Sequence, residues 1–270
     1  MPARAPKARG EMRPARPSAT ARISYQRAME RLIDEMHRST LYWLTATYRK
    51  REGEIAVDAS PARALADELR KRATQWRKMF ADKAPDLAEY FIGKVDRHAM
   101  NAVRQSVVAA TGLSVTVKDT LLTNTVMQAT VQENVSLIKS IQSEYASEVE
   151  GLVMRSVAAG RDLKTLTDEL EERYDITRRR AKLIANDQNN KATAQMARAR
   201  QLSMGVTKAR WMHTGGGKTP RQSHVHANGK VFDLAKGLYI DGKWTFPGEE
   251  INCGCVTAPI IPGVDDEEDE

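Results

Sequence analysis

The sequence is short of the residues that mark disulfide-held, secreted or membrane-spanning proteins. It has two cysteines in 270 residues, Cys253 and Cys255, one residue apart. A disulfide between them would close a very small, strained ring, so no structural disulfide is expected. No apolar run approaches the roughly 18–20 residues needed to cross a bilayer. The N-terminus is basic, but no apolar stretch follows it, so a secretory signal is not expected and the chain reads as made and kept in a cytosol. Aromatic residues are only 6% of the chain. Any core must therefore rest on Ala, Leu, Ile, Val and Met, a set that leans towards helix.

Charge is plentiful and unevenly placed. The formal net charge is +7, yet the last six residues, Asp265 to Glu270, are all acidic, so the rest of the chain carries +13 once those six negative charges are set aside. A body this basic can meet double-stranded DNA electrostatically, although a mild Lys and Arg excess is common and is more often a solvated surface. Residues 1–22 hold Arg4, Lys7, Arg9, Arg13 and Arg16 among Pro, Ala and Gly, and read as a disordered basic arm. Residues 263–270 read as a disordered acidic tail.

Between these ends the apolar residues fall mainly at helical spacing. Met29, Ile33, Met36, Leu44 and Tyr48 form one stripe, which Gly53 would stop. Ser60 followed by Pro61 reads as an N-cap with Pro at the first helical position. Leu65, Leu69, Trp76 and Phe80 continue a second stripe, Pro85 should break or restart it, and Leu87, Phe91, Val95 and Val103 make a third. Residues 106–137 are ambiguous: many Thr and Val suit strand, while the spacing over 119–135 fits a helix with a loop near Gly112. Ile138, Ile141, Tyr145, Val149 and Val153 form a further helical face ending at Gly160. Thr165 to Asp168 has capping-box spacing for a short helix, and Thr177 can cap a long one whose small-residue stripe runs from Ala181 to Leu202.

After Gly205 the pattern changes to strand. Residues 206–213 alternate and end in Trp211, residues 230–234 form a short strand, and Asp241-Gly242 between two apolar runs is a strong hairpin signal. The expected fold is therefore α+β: a mostly helical N-terminal and central region over 23–205, and a small β-rich C-terminal module over 206–262.

The module concentrates the chemistry-bearing residues. His224, His226, Cys253 and Cys255 would make a sound tetrahedral zinc set if both pairs lay on extended chain. Against it, structural zinc sites place two to four residues between paired cysteines, and here there is one. The alternative is that His224 hydrogen-bonds locally and the thiols pack as small apolar groups.

Trp211, Arg221, His224, Gly229, Phe232, Pro247, Gly248, Cys253, Cys255 and Pro259 occur in this order over about 50 residues. The ordered set resembles the C-terminal module of the phage Mu F-like head-morphogenesis family, which runs from a Trp-bearing strand through Arg-x-x-His and Gly-x-x-Phe to Pro-Gly and Cys-x-Cys. The helix around Arg180 to Gln188, and Ala197-Arg198 before Gly205-Val206, resemble the family's approach to that module, so the likeness spans about residues 134–260. It departs at Gly254, where relatives often carry Arg, and before Arg221, where an acidic residue is missing. The resemblance implies a minor capsid protein of the virion, associated with the portal vertex. It would act in head assembly and in DNA packaging or delivery, with the portal protein and the major capsid or scaffolding protein as partners. Host cytoplasm is its place during assembly, and no membrane is involved.

Enzyme readings are weaker. His224 and His226 beside Asn228 could suggest a metal-dependent nuclease, but no acidic cluster is visible to complete it. A thiol nucleophile paired with His224 lacks an orienting group. Gly215-Gly216-Gly217-Lys218-Thr219 lacks the glycine spacing and following helix of a phosphate loop. The expectation is a non-enzyme whose Arg221, His224, Cys253 and Cys255 hold the module together. A DNA-binding protein or nuclease of phage origin is the alternative.

Overall fold

The structure, a computed structural model, describes residues 12–50, 60–160, 163–215 and 219–261. Four long helices come first: α1 (Ala19–Lys50), α2 (Ser60–Thr111), α3 (Leu121–Ala158) and α4 (Leu163–Ser203). Then follow β1 (Lys208–Met212), a short α5 (Gln222–His226), β2 (Val231–Asp233), β3 (Leu238–Ile240), β4 (Lys243–Thr245) and β5 (Val256–Ile260). The fold is α+β as expected, mostly helical with a small antiparallel module at its end. No helix among the described residues is long and apolar enough to cross a membrane.

Two expected helix boundaries are absent. Pro85 lies inside α2, which continues unbroken through it. The burial stripe outweighs the lost backbone bond: Ala84 and Ala88 are fully buried, and Phe80 and Phe91 nearly so. Thr177 starts no helix. It sits within α4 and turns its hydroxyl back to the carbonyl of Arg173, 2.9 Å away. The ambiguous stretch resolves as the end of α2, a connection, and α3. Thr120 and Thr123 cap α3 reciprocally, each backbone N–H donating to the other's hydroxyl. The threonines that suggested strand bond back inside the helix, Thr125 to Leu121 and Thr130 to Val126.

The chain folds into two compact units. One comprises Ile23–Glu89 and Val131–Ala185. Its core is built from Met29, Ile33, Met36, Leu69, Ile138, Ile141, Val149 and Leu166, each at most 7% exposed. Inside it His37 bridges Tyr145 and Glu171 and stacks on Tyr174.

The other unit gathers Met1–Arg22, Tyr90–Thr130 and Asn186–Glu270. The helix ends in it pack through Ala99, Val103, Val107, Met196 and Ala197. Arg200, only 1% exposed, is held by Asp96 at 2.6 Å and Asp119 at 3.0 Å. The described part of the basic arm is not free. Met12 is buried in this core, its N–H donates to the carbonyl of Pro259, and Ser106 donates to the carbonyl of Arg13. The reason is apolar: Met12 and Ala15 fill gaps that the basic composition of the arm concealed. Residues 1–11, the tail from 262 onwards, Gly53, and Gly216, Gly217 and Lys218 lie outside the described residues.

The module of this unit follows α4 directly. Val206 donates to the carbonyl of Gln201 and Gly205 to that of Leu202, the paired bonds that close a helix C-terminus. β1 is the central strand of a three-stranded sheet ordered β2-β1-β5, with Ala209 opposite Phe232 and Pro259. β3 and β4 form a separate hairpin. Its turn residues Asp241 and Gly242 have φ of 53° and 80°, as the sequence signal requires.

Candidate functional site

The module's core fixes the site. Trp211 on β1 is fully buried and packs edge-on against the His224 ring at 5.1 Å and against Phe232 at 6.2 Å. Phe232 continues to Phe246, whose ring is covered by the Arg198 guanidinium of α4 at 3.7 Å. This burial lowers the pKa of Arg198. The expected structural residues thus serve different purposes. Trp211 and Phe232 are core, Pro247 and Gly248 are buried turn, and Arg221 and Gly229 fix backbone. Arg221 donates to the carbonyl of Ile251, and the Gly229 N–H donates to the carbonyl of Trp211 while its own carbonyl accepts from Arg210.

His224, Cys253 and Cys255 come together. Nδ1 of His224 lies 3.4 Å from the sulfur of Cys253 and 3.8 Å from that of Cys255, and all three groups are at most 5% exposed. Their ligand atoms all lie within 4.8 Å of one another, a grouping of three side chains suited to a metal ion. Both cysteines are free thiols.

His226 does not join them. The segment is the helix α5 rather than extended chain, so residues two apart diverge: His224 is buried and His226 is exposed. His213, at the end of β1, approaches instead, its Nδ1 3.5 Å from the sulfur of Cys255. The sequence offered only a His two residues beyond Trp211, and strand alternation alone did not point it at the thiols. His213 also donates its backbone N–H to Asn228, so Asn228 serves backbone geometry.

Two further residues that the sequence did not single out hold the cysteine loop. Asp187 of α4 accepts the N–H of Asn252 at 2.7 Å, and Asn190 donates to the carbonyl of Cys253 at 3.1 Å. They sit one helical turn apart on the segment that approaches the module. Asn252 takes a φ of 58°, which turns the chain so that Cys253 and Cys255 face the same side.

The electrostatics favour negative sulfur. Cys253 is held below its ordinary thiol pKa, first by a hydrogen bond from Cys255 and then by the backbone N–H groups of Cys255 and Gly248. Cys255 is correspondingly raised, because it is the donor in that pair and is buried. Glu250, paired with Lys243, has a lowered pKa.

Residues 147–258 match the model of the family described as Phage Mu protein F like protein. The chain carries a phage Mu F-like segment. It runs from the end of α3 through α4 to β5, so it includes the anchoring Asp187 and Asn190 as well as the whole His and Cys cluster. A Haemophilus influenzae protein described as "Uncharacterized protein" is 28% identical over 205 residues, covering 75% of this chain and 44% of its own length. The chain thus spans less than half the length of that relative. No solved structure matches it.

Proposed function

We propose that this Mu F-like chain is a minor capsid protein that acts in phage head morphogenesis. It binds the portal protein at the portal vertex and contributes to building the head and to packaging or delivering DNA. Its place is the virion, and the host cytoplasm during assembly. The observation that carries the reading is the continuous Mu F-like match over residues 147–258, whose part from Asn186 onward holds the end of α4, the sheet and the cysteine loop of one compact unit. The chemistry of the site supports a non-catalytic role. The His224 ring is enclosed by Trp211 and two thiols, which leaves it no open face for a water or a scissile bond. Among the described residues, no carboxylate joins that cluster.

The test is capture of the full chain by the portal subunit encoded in the same genome, across a salt series and with double-stranded DNA as the competing ligand. Portal capture that persists at salt concentrations that release DNA is expected. DNA binding that falls steeply with salt, without portal capture, would replace this reading with that of a nucleic-acid-binding protein.

A further inference from the structure

We propose that Cys253, Cys255 and His224 bind one zinc ion as a structural site, with the fourth position on the side of His213. Around a tetrahedral zinc with bonds of about 2.0–2.3 Å, neighbouring ligand atoms stand about 3.3–3.8 Å apart. The His224 to Cys253, His213 to Cys255 and His224 to Cys255 separations are 3.4, 3.5 and 3.8 Å. The residue types fit as well, since thiolate with imidazole suits zinc.

Distance alone would also suit thiol hydrogen bonds, so the surroundings decide. One imidazole nitrogen faces both sulfurs, yet its single lone pair can accept only one thiol proton. The buried Nε1–H of Trp211 has no hydrogen-bond partner. Two buried thiolates without a cation would be costly. A dication with two thiolates and neutral imidazole removes the net charge. The Trp211 N–H is then available as an outer hydrogen bond that orients and tunes metal-bound sulfur.

The one-residue spacing of the cysteines, unusual for zinc, is met by the left-handed turn at Asn252 and its anchor on Asp187. The groups are nearly inaccessible, so the ion would cross-link rather than catalyse. It ties the end of β1, helix α5 and the start of β5, whose contacting residues are 29 to 42 positions apart in sequence.

The experiment uses the full chain, purified under reducing conditions without chelator, with metal content read by plasma mass spectrometry. About one zinc per chain is expected. Replacing it with cobalt(II) should give the thiolate-to-metal charge-transfer absorption and the intense visible bands of a tetrahedral site. C253S and H224N should each weaken binding at least ~10-fold, while H226N, altered on the same helix but exposed, should bind as the unaltered chain does. The proposal is overturned if the unaltered, reduced chain neither retains zinc nor gives a thiolate–cobalt spectrum, a result that needs no variant to fold. Zinc bound equally by C253S and H224N, or recovery of Cys253 and Cys255 as a disulfide, would overturn it too.

Discussion

Arg200 shows how much one side chain carries in this molecule. Its guanidinium is almost wholly inaccessible and is neutralised by Asp96, which is mostly shielded, and by Asp119, whose side chain is 68% exposed. Removing one partner of a buried pair leaves a charge without compensation, whereas an exposed partner is largely replaced by water. Asp96→Ala should therefore cost about 3–5 kcal/mol, and Asp119→Ala about 1 kcal/mol or less, in urea unfolding followed by circular dichroism. Equal losses would mean that both carboxylates act through the solvent. Gly248 is a second such position. It has φ of +84°, and an added Cβ would stand 3.0 Å from the Cβ of Ala194 on α4. Gly248→Ala should cost about 1–3 kcal/mol, seen as a lower melting temperature. Gly254 contrasts with it. It is exposed, its φ is not in the left-handed region, and the nearest obstacle is the Thr214 hydroxyl at 3.2 Å. Gly254→Arg, the residue the resemblance leads one to expect there, should change stability by less than about 0.5 kcal/mol.

At the scale of elements, local signals were readable and tertiary ones were not. The Asp241-Gly242 hairpin, the ending of α4 at Gly205 and the Trp211 strand are set by residues within a few positions of one another, and each was legible. Pro85 and Thr177 misled because their local tendency to interrupt a helix is small beside the burial of whole helical faces. Of the site, His224, Cys253 and Cys255 were legible from residue type and order. His213 and the exclusion of His226 were not, because they depend on α5, a single turn of helix whose five residues carry no periodicity. Asp187 lay in the helix that resembles the family's approach to the module, but neither it nor Asn190 could be given a role until the loop they hold was in place. Pro85 also yields a prediction. Its missing N–H leaves α2 one backbone bond short, and an interior Pro is about 3 kcal/mol less favourable than Ala. Pro85→Ala should raise the melting temperature, with a gain of about 1–3 kcal/mol. A loss would show that the ring's own packing matters more than the missing bond.

At the scale of the whole molecule, the boundary that composition suggests at residue 206 is not where the compact unit ends. The module shares its unit with residues from the arm, from α2 and α3, and from the last turns of α4. The dependence has particular causes: Asp187 and Asn190 fasten the cysteine loop, Arg198 covers Phe246, and the Met12 N–H binds the carbonyl of Pro259 on the edge of β5. Cut at residue 206, the sheet would keep its β1 pairings but expose the face of the loop that these groups cover. Small domains of this size have little stability to spare. A fragment of residues 206–262 should therefore give a poorly dispersed amide spectrum and no cooperative melt. A second fragment begun at residue 186 restores Asp187, Asn190 and Arg198, and should recover part of that dispersion. If the shorter fragment folds cooperatively by itself, the anchors on α4 are accessory, and the module is an independent domain as its composition first suggested.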